Sequence, residues 1–285
     1  RLRSRGLGDV YKRQTIRNNP AKQKKVKTKK QKAIAATCAV AFWLLVWHVV
    51  SLCVGSELVL VSPVKVVQTL FTVIFDPDFL KTVWYSAARI LGGFFTALTL
   101  GTVLGWVASR FWVVETLLRP ITAVIKATPV ASFIILVLLW FSGKNLSVII
   151  SMLMVFPVIY MNVLEGIRSA DEKLLEMAQV FRLSVGKKLL YIYLPAVAPF
   201  FVSACSVSLG LCWKSGIAAE VIGTPDGSIG AVFYQAKIFL QTSELLAWTV
   251  VVVAVSVAFE KLFMFLLRLV LKKLKMEDVL NGKRA

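Results

Sequence analysis

Two ionisable side chains stand within one apolar run, Leu211-Cys-Trp-Lys-Ser-Gly-Ile-Ala-Ala-Glu220, and they are the residues whose types could act on a polar solute. An uncompensated charge at bilayer depth costs roughly 3 kcal/mol, so Lys214 and Glu220 are candidates for binding or passage. Six residues apart, they do not share a helical face and do not form a simple pair. Lys214 could meet an anionic solute or a carboxylate on another helix. Two prolines interrupt other apolar runs, Pro129 after Thr128 and Pro157 after Phe156. Each removes a helix hydrogen bond and frees a carbonyl that protein or water must satisfy. Pro129, Pro157, Lys214 and Glu220 therefore form the candidate translocation-path set, with a plain packing kink as the other reading of either proline.

Catalytic constellations are absent from the sequence. The lone His48 lies in mid-run, and Cys38, Cys53, Cys205 and Cys212 form no C-x-x-C pair and no disulfide framework. Gly143-Lys144-Asn145 and Gly186-Lys187-Lys188 both fail the G-x-x-x-x-G-K-[ST] pattern that cradles nucleotide phosphates. No nucleophile and base converge, so an enzyme, a metal site and a bound cofactor are not expected in this chain.

One long segment between apolar blocks is polar and internally patterned, Ser169 to Pro195. Ser169 with Glu172 three residues on reads as a capping box, and Leu174, Leu175, Ala178 and Phe181 recur at helical spacing. Leu183-Ser184-Val185-Gly186 reads as a turn, Lys187 to Ile192 as a second helical piece, and Leu194-Pro195 as a stop.

These residues resemble the EAA loop of binding-protein-dependent ABC importer permeases, of the nitrate, sulfonate and taurine type. That pattern runs E-x-A, a Gly after three residues, and I-x-L-P after nine more. Glu176, Ala178, Ile192, Leu194 and Pro195 match, and Arg182 stands where the Gly is expected. Gly there would permit a positive φ, so Arg182 predicts a helix that runs on, with the turn deferred to 183–186. The resemblance implies that the loop helix docks in a groove of a separate ATPase subunit. Leu174, Leu175, Ala178 and Phe181 would be the anchors, and Glu176, Arg182, Lys187 and Lys188 the polar contacts, with Leu194 and Pro195 closing the loop. It further implies ATP bound only by that partner, a second permease copy (a homodimer), an extracytoplasmic solute-binding protein, and a small solute such as a sulfonate, taurine, nitrate or related nutrient. A transmembrane coupling subunit of a vitamin transporter and a secondary transporter are the alternatives. Longer paired coupling helices would mark the first, and a relay of intramembrane acids the second.

The elements that must position these residues follow from composition. The 285 residues are 58% hydrophobic with mean hydropathy +0.74, the balance of an integral membrane protein. A net charge of +19 is no nucleic-acid signal, because residues 1–32 carry 13 of the 34 Lys and Arg against the single acid Asp9. That stretch reads as a disordered basic tail, of which RLRSRGLGDVYKRQ (1–14) looks foreign to the native protein. At about 20 apolar residues per crossing, six spans are expected over a permease domain 33–271: 33–54, 84–108, 121–141, 146–164, 196–219 and 245–270. A basic tail, 272–285, follows. The fold class is an all-α membrane protein with a cytoplasmic coupling helix between the fourth and fifth spans. Basic flanks put both termini in the cytoplasm of a multi-pass inner-membrane protein.

Three finer expectations concern packing. Ser62-Pro63 reads as an N-cap and first helical residue, with Val66, Val67, Leu70, Phe71 and Ile74 as a stripe. This is a short surface helix or a plain packed loop. Gly92-Gly93 and Gly101-x-x-x-Gly105 predict close helix approach, as fixed packing or as a sliding contact. Arg89 either snorkels to the interface or faces a water-filled path.

Overall fold

The structure is a computed structural model that describes residues 29–274. The tail at 1–28 and most of the basic tail at 272–285 lie outside the described residues, and residues 29–32, expected in the tail, are already helical. Ten helices make up the described chain, with no strand among the described residues. Five are long and apolar enough to cross a membrane, or six when a bent pair counts as one. The chain divides into two compact units, one ending at Cys53 and the other running from Val54. The first holds α1 (Lys29–Val54), whose part from Ile34 can span a bilayer. The second holds α2 to α10 and all the chemistry considered below.

The core of the second unit is α6 (Gly143–Arg168) packed between α3 (Phe79–Arg110) and α8 (Val185–Gly223). Ile90, Phe94, Val155, Ile159, Leu209 and Cys212 share one buried cluster across the three. Glycines set the spacing of α3 and α6. A Cβ on Gly101 would lie 3.0 Å from Ile159, and one on Gly105 3.0 Å from Val163. The G-x-x-x-G residues are thus a packing surface. Pro157 does not break its span: α6 runs through it and the ring is buried.

The third expected span departs most from its sequence reading. The stretch that leads into the expected 121–141 span, and the first part of that span, form a 16-residue amphipathic helix, α4 (Trp112–Ala127). Thr128 and Pro129 are extended, and α5 (Val130–Trp140) leaves at 110° to α4. Pro129 cannot donate a backbone hydrogen bond and disfavours helical geometry at Thr128, so the helix stops there. Arg168 at the end of α6 donates to Glu115 in the first turn of α4, tying the start of the bent pair to that end of the core.

The remaining elements close the far end. α2 (Pro63–Ile74) has Ser62 as its N-cap, the hydroxyl accepting from Lys65 N at 3.4 Å. Val73 packs against Trp248 and Val251 of α10 (Thr242–Lys273), so the helical reading holds over the loop. Between α8 and α10 lies α9 (Ile229–Ile238), a helix in the stretch between the expected fifth and sixth spans.

Candidate functional site

The polar segment of the sequence becomes a short helix, α7 (Glu172–Val180), followed by the long α8. Its start corrects the capping box. Asp171 is the N-cap, its Oδ1 accepting from Lys173 N at 2.9 Å, whereas Ser169 caps the end of α6 and donates to the Gly166 carbonyl. Its end corrects the reading of Arg182. The helix does not run on: Arg182 takes φ +49, the left-handed conformation that a glycine would adopt. Leu183 N bonds Ala178 O at 2.9 Å and Arg182 N bonds Gln179 O at 3.1 Å, the two crossed bonds of a Schellman motif. Leu183 and Ala178 belong to one apolar cluster, which supplies the motif's hydrophobic contact. The hydrogen bonds impose this turn, and the arginine conforms to it.

The apolar residues of α7 divide between two faces. Ala178 is fully buried, and Leu175 packs with it against Ala170, Ile192 and Tyr193. These two hold the helix to its own bundle: Ala178 is closed to a partner, contrary to the expectation from the spacing, and Leu175 is half-buried. Leu174, Met177 and Phe181, at i, i+3 and i+7, are exposed, Phe181 to 72%. Val180 and Val185 are exposed apolar residues as well, and Glu176 and Arg182 are also exposed. Met177, Val180 and Val185 were missed in the sequence. The i, i+3, i+7 spacing from Leu174 contained Met177, but nothing local separates an inward from an outward apolar face.

Ile192-Tyr193-Leu194-Pro195 also acquires a physical account. Leu189–Tyr193 is a π turn, and Leu194 N reaches back five residues to Leu189 O. Pro195 has no N–H and its ring would crowd the carbonyl four residues earlier, so a widened turn just before it lets α8 continue. Tyr193 stacks edge-on against Trp106 of α3 at 5.7 Å, and Leu194 packs by Leu271, so the turn is wedged among three helices.

The four candidate path residues are not brought together. Pro129 is exposed at the α4–α5 bend, and Pro157 is buried in the core. Glu220 is fully buried in the bundle. Its Oε2 accepts from Ser86 Oγ at 2.6 Å and from Gly230 N at 3.4 Å, while Ser86 Oγ accepts from Ile229 N at 2.9 Å. Glu220 and Ser86 thus hold the first turn of α9 to α3 and α8. Gly230 lies against the Glu220 backbone, where no Cβ would fit. Arg89 lies over the Tyr85 ring at 4.3 Å, with Nη1 buried and without a hydrogen-bond partner.

Lys214, on a different face of α8 from Glu220, is exposed and lines a groove of 410 Å³ between α8, α9 and α10. Trp213, Ile217 and Phe233 form one wall, Val252, Val253 and Val257 the other, with Thr249 and Ser256 among them. Among the described residues Lys214 has no ion-pair partner and no group of His, Cys, Asp and Glu is arranged to hold a metal.

Residues 97–276 match the family described as binding-protein-dependent transport system inner membrane component. The chain belongs to that family. The matched region covers the last part of α3, all of α6 and α8, the α7 loop and the groove. Among curated proteins, the chain is 29% identical over 216 residues to the aliphatic sulfonates transport permease protein SsuC of Bacillus subtilis, covering 75% of this chain and 78% of that one. It is 27% identical over 220 residues to the taurine transport system permease protein TauC of Escherichia coli (75% and 80%). It is 25% identical over 214 residues to the nitrate import permease protein NrtB of Synechocystis (71% and 76%). A solved amino acid ABC transporter, crystallised with histidines, superposes with a TM-score of 0.49 at 16% identity, over 68% of this chain and 96% of that one. This permease is a multi-span membrane subunit of an ABC importer.

Proposed function

We propose that two copies of this permease form the path for a small anion in an ATP-driven importer, with α7 as the contact that transmits work from a separate ATPase subunit. The observation that carries this reading is the exposed apolar stripe Leu174, Met177 and Phe181 on a short helix whose other face is locked to its own bundle. A helix held on one side and apolar on the other suits helix-in-groove recognition, with Phe181 as the anchor and Glu176 and Arg182 at the rim. ATP would be bound by that partner, and this chain would need no cofactor. One chain offers five to six spans, so a two-fold pair is the simplest pore. An extracytoplasmic binding protein would deliver the solute. The names of the relatives, which speak of sulfonates, taurine and nitrate, support a solute that carries an oxyanion group.

The test is co-purification of the cognate ATPase in mild detergent by the wild-type permease and by the Glu176→Ala plus Phe181→Ala variant. Both side chains are exposed, so folding is expected to survive their removal. Retention of two ATPases per two permeases by wild type and at least a tenfold loss in the variant is the expected result. Equal retention by both overturns the role given to α7.

A further inference from the structure

We infer that the seam between α8 and α10 is a wetted wall of the translocation path, with Ser206, Lys214, Ser256 and Glu260 as its polar lining. The inference rests on the reading of this permease as a path-forming subunit and adds where in the bundle the path runs. Both helices are long and apolar enough to cross a membrane, yet each carries a polar stripe toward the other. On α8, Ser203, Ser206, Gly210 and Lys214 recur at i, i+3, i+7 and i+11, and none of them is buried. On α10, Thr249, Ser256 and Glu260 recur at i, i+7 and i+11, again unburied. Such spacings keep residues on one helical face. Ser206 Oγ donates to Glu260 Oε1 at 3.1 Å, which joins the two stripes, whereas the Thr249 hydroxyl is spent on Leu245 O of its own helix. One turn from the Ser206–Glu260 bond the groove of 410 Å³ opens, lined by Gly210, Lys214, Val253 and Ser256. A Cβ on Gly210 would meet nothing within 4 Å, so the seam is open there.

The depth of the charges decides what the seam faces. Phe259 and Phe263 flank Glu260 along α10, and Phe263 packs edge-on against Phe94 at 5.3 Å. Phe94 is halfway along the 32 residues of α3, and Val155, in the same buried cluster, is halfway along the 26 of α6. Glu260 therefore stands near the middle of the bundle, as does Lys214, which shares its groove with Val253 and Val257. Lys261, the next residue, is exposed at the same depth. From there the edge of the hydrocarbon is about 15 Å away, beyond the reach of a lysine stem, so snorkelling does not free either ammonium. Charges at such depth face a water-filled cavity or a partner, not lipid. Among the described residues no acid pairs with Lys214, which leaves water in the seam to solvate it.

The experiment places single cysteines in the full-length permease carrying Cys38→Ser and Cys53→Ser, held in nanodiscs of neutral phosphatidylcholine; Cys205 and Cys212 are buried and stay. Val253→Cys and Ser256→Cys lie on the seam, while Ala254→Cys and Ala258→Cys lie at the same depth on the exposed side of α10 turned away from it. Each is treated with an anionic and a cationic methanethiosulfonate, which attack a hydrated thiolate. The seam positions are expected to react at least about tenfold faster than the other two. Glu260→Gln is expected to raise the ratio of anionic to cationic rate at Ser256→Cys about threefold, and Lys214→Gln to lower it as much at Val253→Cys. Equal rates on the two sides of α10, or a ratio that either substitution leaves unmoved, overturn the inference. So does slow labelling of seam cysteines that cross-link to a second copy, which makes the seam a dry interface between permeases. Labelling is read without the ATPase, so failure here leaves the co-purification result standing, and failure there leaves this one.

Discussion

At Arg182 the conformation is dictated from outside the residue. The Schellman bonds to Ala178 and Gln179 require a left-handed residue at that point, and a non-glycine pays about 1–2 kcal/mol to supply it. Glycine has more freedom to lose on folding, which offsets part of the relief. Arg182→Gly is therefore expected to stabilise the turn by about 0.5–1 kcal/mol, read as greater hydrogen-exchange protection at Leu183 and the end of α7. Lower protection would show that the arginine side chain itself holds the turn. Glu220 presents the opposite case, a polar side chain whose partners depend on it. Glu220→Ala leaves the Ser86 hydroxyl and the Gly230 N–H without their acceptor in a buried site, at about 1–3 kcal/mol for each group. Glu220→Gln retains a carbonyl acceptor and is expected to keep most of the stability. Thermal unfolding of the two variants in detergent distinguishes them: equal midpoints would mean that the carboxylate does not anchor α9.

Among the elements, what the sequence disclosed depended on whether its signal was local. The apolar runs, the Ser62-Pro63 start of α2 and the stop at Thr128-Pro129 are legible because each rests on neighbouring residues. α9 was hidden by the glycines around it: Gly223, Gly227 and Gly230 look like loop residues, yet Gly230 is helical and is small because the Glu220 backbone lies against it. The α7 site was half legible. Its helical spacing could be read, but which apolar residues face inward depends on Ile192 and Tyr193, more than a dozen residues away. Lys214 could be singled out by its charge, while its groove needs Phe233 and the valines of α10, which only the fold brings near. The glycine pair in α3 shows how contact rather than residue type decides. A Cβ on Gly92 meets nothing within 4 Å, whereas one on Gly93 would crowd the Val148 carbonyl and lie 2.8 Å from Ser151 Cβ. Gly92→Ala is expected to stabilise by up to about 1 kcal/mol and Gly93→Ala to destabilise by about 1–3 kcal/mol. Adjacent substitutions of opposite sign in a thermal melt check this, and the same sign for both would dismiss the close approach of α3 and α6.

For the whole molecule, the ordering of charge predicts orientation. The end of the bundle that carries α7 gathers Arg110, Arg168, Lys173, Arg182, Lys187, Lys188, Arg268, Lys272 and Lys273, and these outnumber its acids Glu115, Glu165, Asp171, Glu172 and Glu176. The other end mixes Glu57, Asp76, Asp78, Asp226 and Glu244 with Lys65, Lys81, Lys144 and Lys237. Positive charge is retained on the cytoplasmic side, so the α7 end is expected to face the compartment where ATP is found, as a coupling role requires. Native cysteines allow this to be read without engineering. Cys53 stands one residue before the end of α1 and Cys38 near the start of its span, both exposed, while Cys205 and Cys212 are buried. A membrane-impermeant maleimide added to intact spheroplasts is expected to label Cys53, and the Cys53→Ser variant is expected to lose that label. Cys38, close to the opposite end of the same helix, should react only after the membrane is opened. Labelling of Cys38 from outside, with Cys53 protected, would invert the permease and put α7 on the side where no ATPase could reach it.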